Sequence, residues 1–301
     1  MIPTGEQTVL RHKEFRAVVT EVGGSLRMLS WRDRPLLAGF AEDALPLGYQ
    51  GAVLAPWPNR IADGRYAFGG RTHQLALSEP DRGNALHGLV TTAAWGAERL
   101  EAGTVRLRHR LWPQPGYPFL LDLQVLYRLT DSGLSCALTA TNAGDVPAPY
   151  GGSFHPYLVA GEGDVDGWTL QAPAASYLTV DPDRLLPRGI APCDGLDFRL
   201  PTPLRGIEVD HAFTDIAFDA SGSARVTLTD RTGRGVYLAW DDGCRWLQLC
   251  IPGAQRPELQ RRALAVEPMS CPPDAFNSGI DLVTLLPGDS LAIGLTIGPI
   301  G

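Results

Sequence analysis

Two titratable side chains stand in segments that the sequence makes rigid. His155 lies in segment 151–157 (GGSFHPY), between an aromatic residue and a proline. A fixed histidine can give a proton to a leaving oxygen and take it back, because it titrates near neutral pH. Glu267 follows the apolar run 263–266, which we expect to be a strand that ends at the carboxylate, and precedes Pro268. A carboxylate there is costly unless it lies in a cleft or has a partner, so a catalytic role and a structural ion pair both stay open.

Other polar side chains could bind a ligand beside these two. Asn59 and Arg60 follow a stiff segment with two prolines, and a guanidinium offers five donors that suit vicinal hydroxyls or a carboxylate. His87 precedes Gly88, which lets another group approach the backbone closely. Asp210 stands beside a further histidine. Taken singly, each of these residues is also compatible with a salt bridge, a turn or a cap.

Competing chemistries have weaker support in the sequence. The chain contains no GxSxG segment in a strand-to-helix context, and no phosphate-binding loop. Glu267 and Asp210 could form the carboxylate pair of a glycosidase. His87, His155 and His211 match no short metal-ligand spacing, and no cysteine or carboxylate cluster accompanies them in the sequence. The five cysteines likewise lack ligand spacing, and we interpret them as reduced thiols.

The elements that must position these residues are predicted to be strands. Residues 104–111, 121–129 and 134–140 alternate apolar and polar side chains, which predicts three neighbouring antiparallel strands. The same period of two recurs over 71–77, 224–229, 235–240, 246–251 and 290–297. Helical periodicity is hard to find, so a parallel βαβ arrangement is excluded and stacked antiparallel sheets are expected. The proline-rich segment 187–203 is predicted to be a loop.

Composition narrows the function classes. The chain has 301 residues, 44% of them hydrophobic, with 34 glycines and 25 prolines that punctuate short apolar runs. A net charge of −7 without a basic run argues against nucleic-acid binding. No apolar stretch is long enough to span a bilayer, and the N-terminus is unlike a secretory signal. We therefore expect a cytoplasmic protein with no nucleic-acid or membrane partner.

Five segments, in chain order, resemble the aldose 1-epimerases, the galactose mutarotase-like proteins. They are NRI (59–61) with GRYAF (64–68), NALHG (84–88), FHPY (154–157), VDHAF (209–213), and VEP (266–268) continuing to AFN (275–277). The resemblance runs from about residue 10 to the C-terminus. It implies an all-β fold, a large antiparallel β-supersandwich formed by residues 1–301 as a single domain, with the sugar in an open groove on one sheet.

The resemblance also implies a reaction and roles. The reaction is the interconversion of the α and β anomers of a free aldose, without metal or organic cofactor. Glu267 would be the base and His155 the acid. The sugar hydroxyls would be bound by Arg60, His87 and Asp210, with help from Asn59 and, by a looser match, Gln248. An aromatic platform such as Trp57 or Phe276 would suit the apolar face of the sugar.

Two alternatives accompany this hypothesis. A phosphorylated hexose as substrate would require extra arginines, such as Arg65, Arg71 or Arg82, to line the groove. A carbohydrate-binding or sensing module would keep the groove without turnover, although Glu267 and His155 would then be idle. The family pattern also differs after His87, where many members have two glycines, and at 157–158, where others have an aromatic pair. The sequence identifies neither the sugar nor the oligomeric state.

Overall fold

The computed structural model describes residues 2–301. Over this range the chain forms 27 strands, one short α-helix (α1, Ala275–Ser278) and two 3-10 helices, Pro80–Arg82 and Val165–Gly167. Among residues 2–301, none of the helices has the length and the apolar character that a membrane-crossing segment needs. The all-β fold class predicted from the sequence is confirmed.

The strand bounds are as follows. Strands β1 to β9 are Gln7–His12, Phe15–Thr20, Leu26–Trp31, Arg34–Pro35, Val53–Leu54, Arg60–Ala62, Arg65–Phe68, Arg71–Gln74 and Asn84–Leu86. Strands β10 to β18 are Gly96–Glu101, Thr104–Leu111, Leu121–Thr130, Gly133–Asn142, Ala148–Tyr150, Ser153–Phe154, Tyr157–Leu158, Thr169–Gln171 and Ala174–Val180. Strands β19 to β27 are Pro187–Pro192, Thr202–Pro203, Asp210–Ile216, Ser223–Thr229, Gly235–Asp241, Trp246–Cys250, Leu264–Met269, Val283–Leu285 and Ser290–Ile300.

Two large antiparallel sheets dominate the fold. The nine-stranded sheet has the order β10-β11-β12-β13-β27-β23-β22-β17-β20. The eight-stranded sheet has the order β19-β18-β21-β24-β25-β15-β5, with β16 also paired to β25. A four-stranded sheet contains β1 to β4, and three two-stranded sheets pair β6 with β9, β7 with β8, and β14 with β26. The candidate residues lie in, or directly beside, strands of the eight-stranded sheet and of the small sheet β6-β9.

The three neighbouring strands expected from the alternation over 104–140 are confirmed as β11, β12 and β13. Their register pairs Leu107 with Val125 and Val125 with Leu138, so these side chains share one face of the nine-stranded sheet. All three are buried in the main hydrophobic core. The core also contains Leu249 and Val266 of the eight-stranded sheet. One face of each large sheet therefore contributes to a shared core, as the alternation of buried and solvated side chains requires.

Two local expectations are corrected by the structure. Segment 187–203 is not all loop, because β19 forms the edge of the eight-stranded sheet and β20 the edge of the nine-stranded sheet. Edge positions tolerate proline, since one side of an edge strand needs no ladder hydrogen bond. The run 263–266 does not end at Glu267, because β25 continues through Glu267 and Pro268 to Met269. Glu267 therefore has a fixed direction, set by the pleat of a strand.

A close approach of two backbone segments fixes the loop that carries His87. Gly88 forms a parallel bridge with Ala55, and the Leu89 backbone N–H donates to the Ala55 carbonyl at 2.8 Å. Gly88 has a φ of +79°, and a Cβ built on it would lie 2.0 Å from the Ala55 oxygen. Only glycine fits both the left-handed backbone and this contact.

We predict that Gly88→Ala destabilises the fold more than the same change at a spacious glycine. Gly195 also has a positive φ, +85°, but open space around its Cβ position, so Gly195→Ala isolates the backbone strain of roughly 1–2 kcal/mol. The clash with Ala55 adds about 1–3 kcal/mol for Gly88→Ala. Urea unfolding of both variants measures the difference, and equal losses would contradict the close-approach argument.

Candidate active site

The candidate site lies on the face of the eight-stranded sheet that points away from the core. Gln248 of β24 is paired with Glu267 of β25 on one side and with Ala212 of β21 on the other, so their side chains share a face. Leu249 and Val266, which alternate with them, belong to the core on the opposite face. Gln248 and Glu267 are nevertheless only 4% and 1% exposed. The other polypeptide segments over this outer face must therefore cover the site.

Backbone pairing next to β15 positions His155. Its N–H donates to the Ala52 carbonyl at 3.0 Å, and its carbonyl accepts from the Gly51 N–H at 2.9 Å. Its ring stacks on Tyr157, with 5.0 Å between centroids. The Nε2 atom of His155 lies 3.3 Å from Oε1 of Glu267, and both side chains are almost fully buried. The structure thus brings together the two residues that the sequence assigned to proton transfer.

Burial sets the charge states of this pair. Loss of solvation raises the pKa of Glu267 well above 4.5, and the nearby Asp210 raises it further, while Arg256 and Arg60 act in the opposite direction. Loss of solvation also lowers the pKa of His155 below 6.5, and the positive charge of Arg256 adds to this decrease. Both shifts favour the neutral forms, a protonated Glu267 next to an uncharged His155.

Each member of the pair also keeps one polar atom without a partner. Within residues 2–301, His155 Nδ1 and Glu267 Oε2 are buried and accept or donate no hydrogen bond. Buried polar atoms are normally satisfied, and an exception calls for an explanation. Unpaired atoms on two adjacent titratable groups therefore mark this pair as a candidate functional site.

His87 is held in one tautomer by reciprocal contacts with Asn59. The backbone N–H of His87 donates to the backbone carbonyl of Asn59 at 2.9 Å, and the backbone N–H of Asn59 donates to the ring atom Nδ1 of His87 at 3.2 Å. Because Nδ1 accepts, the proton of the neutral ring is on Nε2. Burial lowers the pKa of His87 well below 6.5, and His155 and Arg60 act in the same direction. His87 is therefore a neutral hydrogen-bond donor, and its ring lies 5.1 Å from that of His155.

A chain of amides and a carboxylate extends from Asn59 across the sheet. Asn59 Nδ2 donates to Gln248 Oε1 at 3.3 Å, and Gln248 Nε2 donates to Asp210 Oδ1 at 2.7 Å. These bonds fix which end of each amide is donor and which is acceptor. Asp210 is partly exposed, and a carboxylate has two oxygens that can each accept more than one hydrogen bond. It can accept a hydrogen bond from a ligand hydroxyl.

Arg60 is anchored by a carboxylate outside the predicted set. Its Nε and Nη2 atoms donate to the two oxygens of Glu79 at 2.8 and 3.0 Å, and its N–H donates to Asn59 Oδ1 at 3.0 Å. Burial opposes the charge, but Glu79 and Asp210 more than offset that effect and keep the pKa of Arg60 raised. Glu79 thus orients Arg60 and neutralises it.

The structure brings all the proposed site residues into this one network. They are Asn59, Arg60, His87, His155, Asp210, Gln248 and Glu267. His211 is directed to the other face, opposite Leu249 of the core, and its ring packs edge-on against Tyr177. It takes no part in the network.

The aromatic contact of the site differs from the one expected. Trp57 and Phe276 pack against each other in the core, 5.8 Å apart, and so do not form a platform in the site. Tyr49 lies against His87 at 4.6 Å and His155 at 6.2 Å between ring centroids and is only partly buried. Sequence reasoning missed Tyr49, although its position between Gly48 and Gly51 was a signal of an unusual backbone, and its φ is +64°.

A metal could in principle be held by His87, His155 and Glu267, whose ligand atoms lie within 4.8 Å of one another. These three residues are far apart in the sequence, so their spacing does not reveal the cluster. The donor set nevertheless fits a metal poorly. Ligation through either nitrogen of His87 sacrifices the hydrogen bond that Nδ1 accepts from Asn59, whereas metal-binding histidines normally donate from the second nitrogen. Nearby Arg60 and Arg256 also oppose a cation.

Fold and site together define a β-sandwich protein that holds a buried imidazole–carboxyl pair among hydrogen-bonding side chains. A model of the family described as aldose 1-epimerase matches residues 6–297. The chain is 37% identical over 289 residues to YihR of Escherichia coli (strain K12), a protein described as uncharacterised, and the match covers 95% of this chain and 90% of YihR. The chain belongs to the aldose 1-epimerase family, a family of isomerases.

Two further similarities agree with this membership. The chain is 31% identical over 223 residues to galactose mutarotase of Mus musculus, covering 67% of this chain and 64% of the mouse protein. The GalM/aldose epimerase homologue from C. elegans superposes with a TM-score of 0.86 over 98% of each chain at 20% identity, which shows a common fold. The resemblance identified from the sequence is confirmed.

We predict that His87 is neutral and protonated on Nε2 at pH 7. The reason is that its Nδ1 accepts from Asn59 and burial disfavours the imidazolium. Nitrogen-15 NMR of histidine-labelled protein, with His87→Asn to assign the signal, distinguishes the tautomers. A signal from a charged ring or from an Nδ1–H tautomer would contradict the assigned geometry.

Proposed function

We propose that this protein is an aldose 1-epimerase that interconverts the α and β anomers of an aldose. The observation that carries the proposal is the 3.3 Å contact between His155 and Glu267, each with one buried polar atom left unpaired. The ring oxygen and the C1 hydroxyl of a pyranose are bonded to the same carbon. Two adjacent side chains can therefore serve both oxygens of one sugar.

The proposed reaction balances with the protein's own groups. A base takes the proton of the C1 hydroxyl, the bond between C1 and the ring oxygen breaks, and an acid protonates the released oxygen. The C1 carbonyl then turns about the C1–C2 bond. Reversal of the two proton transfers closes the ring on the other face. Acid–base assistance of this kind typically accelerates a step by about 10²- to 10⁴-fold.

The charge states of Glu267 and His155 bear on which side chain acts first. The family resemblance implies that Glu267 is the base and His155 the acid. With the proton on Glu267 and a neutral His155, as burial favours, ring opening can instead begin with His155 as base and Glu267 as acid. The two residues exchange roles on ring closure, because the reverse transfers follow the same route. Glu267 gives up its proton on ring opening and regains one on ring closure, so one transferable proton on the pair is sufficient for a full turnover.

The remaining network would bind and orient the sugar. His87 Nε2–H and the Arg60 guanidinium offer donors, and Asp210 offers an acceptor that Gln248 holds in place. Mixed donors and acceptors around a ring of hydroxyls suit a monosaccharide. The similarity to galactose mutarotase makes galactose the natural first probe.

We predict that Glu267→Gln lowers the mutarotation rate of fresh α-galactose by at least about 10²-fold, because the amide cannot exchange the shared proton. Polarimetry gives the rate. Glu258→Gln, an exposed residue of the 252–262 loop, is the matched control and should retain the wild-type rate. Circular dichroism verifies that both variants are folded.

Two results would count against the proposal. A wild-type rate in Glu267→Gln would remove that residue from the reaction. Calorimetric binding of galactose, without acceleration of mutarotation by the wild-type protein toward any aldose tested, would identify a sugar-binding module instead of an enzyme.

A further inference from the structure

One cationic side chain beside the pair has no anionic partner. Arg256 is partly buried, and its Nη1 donates to the Tyr157 hydroxyl at 3.2 Å. Within residues 2–301, no carboxylate lies within ion-pair distance of it. Arg60, in contrast, is bound through two nitrogens to Glu79. Of these two arginines, only Arg256 keeps its charge available to a ligand.

Contacts with Tyr157 and Gly48 hold the side chain of Arg256 in position. The Tyr157 hydroxyl accepts from Arg256 and donates to the Gly48 carbonyl at 3.0 Å. A Cβ on Gly48 would lie 2.8 Å from Arg256 Nη1, so the glycine makes room for the guanidinium. The Tyr157 ring stacks directly on His155. A single side chain therefore separates the guanidinium from the imidazole of the proposed reaction.

The charge of Arg256 reaches the reacting groups. Burial is the main cause of the lowered pKa of His155, and the charge of Arg256 is the second cause. The same charge also acts to lower the pKa values of His87 and Glu267. An anion bound next to Arg256 would offset these effects. A guanidinium has five N–H donors, and the hydroxyl of Tyr157 is the one side-chain acceptor that Arg256 has among the described residues.

The three arginines expected to bind a phosphorylated substrate do not place an unpaired positive charge beside His155 and Glu267. Arg65 and Arg71 are exposed on the β7-β8 hairpin, and Arg82 is paired with Glu79. Arg256 supplies the additional cation near the site instead. It lies in the 252–262 loop, which contains none of the residues predicted from the sequence.

We propose that the sugar taken by this site carries an anionic group remote from C1, a carboxylate or a phosphate, which pairs with Arg256. This inference rests on the proposed epimerase function, because it identifies the substrate class of the same site. A neutral sugar could accept hydrogen bonds from Arg256, but it would leave the positive charge of Arg256 without a counter-charge. Two oxygens of a carboxylate or of a phosphate can accept two of the Arg256 donors together, which also fixes the orientation of the sugar.

The test compares galactose, galacturonate and galactose 6-phosphate as substrates, by mutarotation rate and by calorimetric binding. For the wild-type protein we expect kcat/KM for at least one of the anionic sugars to exceed that for galactose by about tenfold or more. Arg256→Gln should reduce this ratio by about tenfold, and Arg256→Lys should retain part of it, since lysine keeps the charge but not the fork of donors. The two anionic sugars distinguish a carboxylate from a phosphate.

Arg262→Gln is the matched control, because Arg262 is an exposed arginine of the same loop, and it should leave the ratio at the wild-type value. A purely structural role of Arg256 predicts that Arg256→Gln lowers the rates on neutral and anionic sugars in proportion. That result, or a wild-type preference for galactose, would overturn the inference. Absence of turnover with every sugar would overturn the proposed function. The calorimetric affinities for galactose and for the two anionic sugars would then still decide whether the site prefers an anion.

Discussion

The site depends on the burial of a carboxylate next to an imidazole. Glu267 is 1% exposed and its Oε1 atom lies 3.3 Å from His155 Nε2. Water solvates neither group well, so the uncharged forms are favoured, a protonated Glu267 and a neutral His155. Strand β25 fixes the direction of Glu267, and backbone pairing with residues 51 and 52 fixes His155. The fold therefore supplies both a low-dielectric environment and a short distance between the imidazole of His155 and the carboxyl group of Glu267.

This arrangement has a cost in stability that depends on pH. The pKa of Glu267 is raised above 4.5 in the folded protein, so the unfolded chain ionises first and stability decreases as pH rises above 4.5 toward the folded value. The pKa values of His87 and His155 are lowered below 6.5, so the unfolded chain takes up protons first and stability decreases as pH falls below 6.5. A site built from neutral, buried groups thus trades stability for proton transfer.

The sequence predicted the sheets well, because alternation is a direct consequence of one buried face. It predicted β11, β12 and β13, but it could not show that β25 continues through Glu267 and Pro268, since a proline normally argues against a central strand. The site residues came from short segments that match a family pattern. Their contacts are long-range, such as Asn59 with Gln248, and no local pattern reports them. Tyr49 and Arg256 were missed because loop conformation places them.

The central claim is that Glu267 stays protonated beside a neutral His155 in the sugar-free protein. Infrared difference spectroscopy of wild type against Glu267→Gln, followed over a pH titration, tests it directly. An ordinary carboxyl group with a pKa of 4.5 is almost fully ionised at about pH 6. We expect the carboxylic-acid C=O band of Glu267 to be still present at that pH and to be absent from the variant. A carboxylate band alone, with ionisation complete near the ordinary pKa, would contradict it.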